Sequence, residues 1–267
     1  MTSTFHALHH GDKPLLLPNA WDFASGALLA EAGFPAIGTT SLGVAGVAGK
    51  PDASGDTKEE TIALARTLAR LPVPVTVDLE GGYSERPDEV GALVGELASF
   101  GIAGVNLEDG LADGTVRPVG HLVAVIEAVK AAAPEVFLNA RTDLFWLGKG
   151  SRDETLERTN AYADAGADGV FVPGVSADDD VRALVQGTPL PLNVLHLPGR
   201  TDFTRMGELG ARRVSCGSLL YRAALRTALN TALDIAGEPA DRPIPSYADV
   251  QKVLTTPVTR SPDPQAT

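Results

Sequence analysis

A single cysteine, Cys216, stands in 267 residues. That excludes an intramolecular disulfide and the small cross-linked folds that depend on one. Basic residues are the scarcer charges: 22 Lys and Arg face 34 Asp and Glu, a formal net charge of −12. Such a balance argues against a nucleic-acid backbone or an anionic membrane surface as the main partner. It does not exclude a small anion, because an arginine and a metal ion can reverse the potential inside one pocket. No apolar run approaches the roughly 18 residues a membrane-spanning helix needs. The first 13 residues carry no apolar run of leader length, so a cytoplasmic protein is expected. The sequence also lacks a phosphate-binding P-loop, a dinucleotide fingerprint and any zinc-ligand spacing.

What is present is an alternation of short apolar runs with amphipathic stretches. Eight runs read as strands: 15–18, 36–39, 75–78, 104–107, 136–140, 169–172, 192–195 and 213–215. They are continuous rather than alternating, as parallel strands covered on both faces require. Helical patterns fill 22–32, behind an Asp22 N-cap, and 57–70, behind a capping box of Thr57 and Glu60. Others fill 86–100, 118–133, 151–165 and 177–186. The phrases "EAGFPAI", "SFGIAGV" and "DAGADGV" each place Gly after a last helical turn and then enter a strand. Such βα repeats, eight of them without a dinucleotide motif, predict a closed (β/α)8 TIM-type barrel rather than an open sheet.

The barrel is expected over 1–236, ending in a long helix over 219–236. Leu220, Ala224, Leu225, Ala228, Leu229, Ala232 and Leu233 give that helix more apolar surface than one face needs, which points to a homo-oligomer. Residues 237–267 read as a Pro-rich tail with one short helix over 247–254 and a frayed end over 255–267. His6, His9 and His10 are expected in a mobile N-terminal segment.

In such barrels chemistry gathers at the carboxyl ends of the strands. Polar residues end several runs there: Asp78 and Glu80, Glu108 and Asp109, then Asn139, Arg141 and Asp143, with Asn193 on the seventh. The second run enters "TTSLGVAG", a hydroxyl- and Gly-rich turn able to offer backbone N–H groups to an anion. Asp78 and Glu80 are two apart, so on a strand they point the same way. With Glu108 they put three carboxylates in one mouth, and these cannot all stay ionised without a cation. Oxygen ligands select a hard ion, Mg²⁺, with Mn²⁺ as its nearest substitute. Helix caps or rim salt bridges explain any one of these acids, but less readily three at adjacent strand ends. Arg141 offers a planar fork to a carboxylate or phosphoryl group, compatible with a salt bridge to Glu108 or Asp143. Cys216 reads as a small buried residue, and Trp21 as either pocket wall or core. His121 and His196 are weak candidates.

Together, "LPNAWDFASGALLAEAGFPAIGTTSLGVAG", "GKPD", "PVTVDLEGGY", "GIAGVNLEDG", "LNARTD" and "YADAGADGVFVPG" resemble the isocitrate lyase/phosphoenolpyruvate mutase superfamily over 15–236. The resemblance implies a barrel whose eighth helix is exchanged between subunits, in homodimers or homotetramers. It also implies Mg²⁺ and an enolate derived from a small anionic 2-oxo acid. It assigns Asp78, Glu80 and Glu108 to the metal shell and Asp52 of "GKPD" to the neighbourhood of the reacting group. Thr40, Ser41 and Leu42 fall on the turn that holds a carboxylate or phosphonate, Arg141 on its clamp, and Asn193 on a polar position of strand seven.

The departures bear on the reaction. Lyases of this superfamily carry Lys-Lys-Cys-Gly-His or Lys-Arg-Cys-Gly-His after strand four, where this chain reads "EDGLADGTVRPVGHL", with neither Cys nor Lys. The Lys- and Asn-bearing gating loop of the mutases is missing too. Three readings follow. The first is a Mg²⁺-dependent lyase or decarboxylase of a small 2-oxo or 2-hydroxy di- or tricarboxylic acid, with Asp52, Glu108 and Arg141 catalytic. The second is a P–C bond enzyme, of phosphonopyruvate hydrolase or carboxyphosphonoenolpyruvate mutase type. The third is an oxo-acid-binding barrel without turnover.

Overall fold

The computed structural model describes residues 1–256. Its first barrel strand is broken at Pro18, which has no N–H for a ladder, into β1 (Leu15–Leu17) and β2 (Asn19–Ala20). There follow β3 (Ile37–Thr39), β4 (Val75–Asp78), β5 (Gly104–Glu108), β6 (Phe137–Arg141), β7 (Gly169–Phe171), β8 (Leu192–Leu195) and β9 (Arg213–Ser215). All pairings between them are parallel, in the order β1-β9-β8-β7-β6-β5-β4-β3-β2. Because β1 and β2 are consecutive across Pro18, the two ends of that order meet and the sheet closes. The eight expected strands are all present, and the (β/α)8 barrel stands.

The helices are α1 (Thr2–Ala7), α2 (Phe23–Glu31), α3 (Ser41–Ala48), α4 (Lys58–Leu68), α5 (Pro87–Ser99) and α6 (Val119–Ala132). Then come α7 (Arg152–Asp164), α8 (Asp178–Gly187), α9 (Phe203–Glu208), α10 (Leu219–Ile235) and α11 (Tyr247–Thr255). Helix α5 shows why they dock. Val90, Val94 and Leu97, spaced four and three apart, are fully buried, each contributing roughly 1.5–3 kcal/mol. Gly91 lets α6 approach: a Cβ there would lie 2.8 Å from the Ala128 carbonyl oxygen.

Three local expectations are corrected. The N-terminus is not a mobile segment. Phe5 of α1 is fully buried with its ring 5.5 Å from that of Phe137, and His9 stacks on Phe137 at 4.1 Å. Phe137 opens β6, so α1 plugs the amino ends of the strands, and burial pushes the His9 imidazole down to about 3. The "TTSLGVAG" turn is in fact helix α3, with Thr40 at its N-cap and Gly49 ending it at φ 68°. A helix start presents the N–H groups the turn was expected to supply. The capping box of Thr57 and Glu60 does not form. Thr57 makes no cap bond and donates to Glu80 instead, while Glu60 pairs with Lys50. A buried carboxylate is the stronger acceptor. The frayed end expected over 255–267 lies, from 257 onward, outside the described residues.

Candidate active site

A cavity of about 770 Å³ opens at the carboxyl ends of the strands, within the range of small-molecule sites. Thr40, Ser41, Leu42, Asp52, Asp78, Glu80, Glu108 and Arg141 all line it. Asn193 does not. It is 1% exposed in the barrel interior, and its Oδ1 accepts from Ser215. Asn106 lines the cavity instead, with its Oδ1 taking bonds from Asn139 and from the buried Arg213.

Asp78 ends β4 and accepts a 3.4 Å bond from the Ser41 amide at the start of α3. Glu80 lies beyond the strand, at φ 52°. Strand alternation therefore does not aim it. A left-handed turn does, at a cost of about 1 kcal/mol for a residue with a Cβ. Its carboxylate is held by Thr57 Oγ1 at 2.8 Å and the Gly55 amide at 3.3 Å. Burial pushes it up to about 7, helped by the charges of Asp52 and Asp78. Glu108, at the end of β5, lies 2.6 Å from Arg141, and burial raises it well above the usual carboxylate range. Asp78 and Asp52 are raised for the same first reason.

Arg141 ends β6 beneath this acidic mouth. It binds Asp143 through Nε at 2.6 Å and Nη2 at 3.1 Å, and Glu108 through Nη1. Burial alone would lower it, but Asp143, Glu108 and Asp78 raise it, so it stays charged. Asp109 is fully buried behind the pair. Its Oδ1 accepts from the Asp143 amide at 2.9 Å, and its Oδ2 from Tyr162 at 2.8 Å and Arg158 at 3.1 Å. Gly110 is needed beside it, because any Cβ would run into the Asp143 carboxylate.

The three carboxylates expected around an ion share one cavity but are not preassembled as a ligand set. Among the described residues no group of three or more His, Cys, Asp or Glu is placed to hold a metal directly. Glu80 is turned to Thr57 and Glu108 to Arg141.

Sequence reasoning missed the contribution of α11. Tyr247 donates to Asp52 Oδ2 at 2.8 Å, while Gln251 accepts from the Asp52 amide at 3.0 Å and donates to its carbonyl at 2.9 Å. Tyr247 also meets the Trp146 ring edge-on at 6.0 Å. A signal was there: Ser246 and Asp249 form a capping box, which sets Tyr247 and Gln251 four apart on one face. Cys216 is not a thiolate, since burial pushes it up to about 11. Trp21 packs with Leu42 and Tyr221 rather than walling the cavity. Neither His121 nor His196 lines the cavity.

Comparison with known proteins agrees with this geometry. The family model described as phosphoenolpyruvate phosphomutase matches residues 5–236. An uncharacterized protein of Mycobacterium tuberculosis is 44% identical over 94% of this chain and 96% of its own length. The oxaloacetate decarboxylase of Ectopseudomonas mendocina is 28% identical over 90% of this chain and 87% of its own. The 2-methylisocitrate lyase of Bacillus subtilis is 28% identical over 78% and 71%. The crystal structure of a phosphoenolpyruvate phosphomutase from Streptomyces platensis superposes with a TM-score of 0.80 at 25% identity, covering 89% of this chain and 88% of that one. The chain belongs to the phosphoenolpyruvate phosphomutase family, within the superfamily that also holds the methylisocitrate lyases and oxaloacetate decarboxylases.

Proposed function

We propose that this protein is a Mg²⁺-dependent lyase or decarboxylase that cleaves the bond beside the carbonyl of a small 2-oxo or 2-hydroxy di- or tricarboxylic acid, through an enolate. One observation carries the reading. A single cavity at the strand ends gathers Asp52, Asp78, Glu80, Glu108 and Asp143 around Arg141, while the other arginine lining it, Arg117, is paired with Glu85. That excess of buried negative charge calls for a further cation.

The donors fit Mg²⁺, which accepts one or two carboxylates and keeps several waters, so it does not require a closed protein cage. Asp78, Glu80 and Glu108 would hold the ion in this reading. When bound, Mg²⁺ supplies Lewis-acid stabilisation of charge developing on the substrate carbonyl oxygen. The chain's own residues do the rest. Arg141, pinned by Glu108 and Asp143, orients the substrate carboxylate, and the amides at the start of α3 offer a second anion contact. Asp52, fixed by Tyr247 and Gln251, stands where a proton is taken or returned. Tyr247 and Trp146 wall the mouth against water. Oligomerisation belongs to the same reading: α10 buries only Tyr221 and leaves Leu225 and Leu229 about 40% exposed, a face suited to a second copy of the chain.

The test is calorimetric titration with oxalate, a planar stand-in for an enolate, joined to assay of oxaloacetate-type acids. Oxalate binding that requires Mg²⁺, and turnover that EDTA and Asp78→Ala both abolish, are expected. Turnover that survives EDTA would overturn the reading. Phosphate release from phosphonopyruvate, with no C–C cleavage, would transfer the site to P–C chemistry.

A further inference from the structure

A second arginine lines the cavity that neither the resemblance nor the strand-end argument picked out. Arg117 lies at the end of the short loop after β5. Its guanidinium sits over the turn that carries Glu80: a Cβ on Gly81 would be 3.9 Å from its Nε and Nη2, and equally 3.9 Å from the Glu108 carbonyl oxygen. Gly81 thus leaves open the space between Arg117 and the acidic mouth.

The stalk of Arg117 is fixed. Its amide donates to the Asp109 carbonyl at 2.8 Å, and its carbonyl accepts from Arg158 at 2.9 Å. Asp109 in turn donates its amide to the Arg141 carbonyl at 3.2 Å and holds the Asp143 amide through its side chain. One buried acid therefore sets the spacing between two guanidinium groups that face the same cavity.

The head of Arg117 is already presented as a carboxylate fork. Nη1 and Nη2 bind the two oxygens of Glu85 at 2.5 and 2.6 Å. The pair is unequal: the Arg117 side chain is 17% exposed and that of Glu85 is 72%. An acid as exposed as Glu85 gains little from such a pair, on the order of 0–1 kcal/mol, so a substrate carboxylate can replace it. Arg117 Nε is buried with no partner among the described residues.

We propose that Arg117 forms a second carboxylate subsite, which selects a substrate carrying an acid group at each end. Glu85 occupies that subsite when substrate is absent. The inference rests on the oxo-acid reading above and narrows it to dicarboxylates whose distal group reaches the loop after β5. Phosphonopyruvate, with a doubly charged distal group, is the competing ligand the test separates.

Three probes divide the subsites, each titrated with Mg²⁺ present. Oxalate occupies the inner site alone. 3,3-Difluorooxaloacetate has both carboxylates and cannot enolise at its fluorinated carbon. 2-Oxobutyrate has the same chain length but no distal charge. In the wild type the difluoro diacid should bind about 30-fold or more tighter than 2-oxobutyrate, the worth of one charge-assisted bidentate pair. Arg117→Met should erase that preference while oxalate stays within twofold, and Arg117→Lys should restore part of it. Glu85→Gln, which removes the competitor, should tighten the diacid two- to fivefold. Equal weakening of all three probes by Arg117→Met would reduce Arg117 to a structural residue and overturn the proposal. So would a wild type that binds oxalate but does not prefer the diacid, or one that prefers phosphonopyruvate tenfold over it. Failure of oxalate to bind the wild type at all would instead remove the oxo-acid reading, and the subsite with it.

Discussion

Glu80 makes the apo protein's stability depend on pH in a way that can be worked out. Glu80 is 5% exposed, and burial, with Asp52 and Asp78 nearby, pushes its carboxyl from 4.5 up to about 7. A raised folded value means the protonated form is the one folding favours. The stability from this group is complete below pH 4.5 and is lost as pH rises through about 7. At about 1.4 kcal/mol per pH unit, the loss comes to roughly 3 kcal/mol. Urea unfolding in EDTA at intervals from pH 5 to 9 measures it, with Glu80→Gln as the reference. The amide keeps the left-handed backbone at φ 52°, so strain cancels between the two proteins. Wild type should lose about 3 kcal/mol more than the variant across that range. Saturating Mg²⁺ should flatten the difference, because an ion favours the carboxylate. Two curves that run parallel within 0.5 kcal/mol would refute the argument, showing either that Glu80 opens to water or that Thr57 and Gly55 stabilise the charge fully.

Two further outcomes follow from the supports of the site. Asp109→Asn must turn an NH₂ toward a donor in either amide orientation, because Oδ1 faces the Asp143 amide and Oδ2 faces Tyr162 and Arg158. A loss of about 3 kcal/mol is expected, which for 267 residues lowers Tm by roughly 5 °C; a Tm within 1 °C of wild type, read by calorimetry, would count against the hub. Tyr247→Phe removes the donor to Asp52, whose carboxyl burial already raises. The rate limb that reports Asp52 ionisation should move to higher pH, so more of the acid stays protonated at neutrality, and a limb that stays in place would separate α11 from the chemistry.

Much of this architecture is written locally. Continuous short apolar runs between turn residues read as strands covered on both faces, and in three places Gly after a last helical turn marks the return to the sheet, so eight strands were legible. The acids and arginine at the ends of β4, β5 and β6 were legible for the same reason, since strand ends have a fixed address in a barrel. Asn193 shows the limit of that rule. It sits within β8, one layer below the cavity, and alternation alone could not say which layer faces the ligand. Thr57 obeyed a long-range demand over a local one when Glu80 took its hydroxyl. Tyr247, Gln251 and Arg117 are brought to the cavity by contacts that no local pattern encodes: α11 reaches Asp52 across 195 residues, and Asp109 fixes Arg117 through a backbone bond. The sequence by itself determined the barrel and the charge at its mouth, because those follow from periodicity and strand ends. Only the tertiary structure decided which side chains turn toward that charge, because burial sets the strength of every polar contact there and chain order does not.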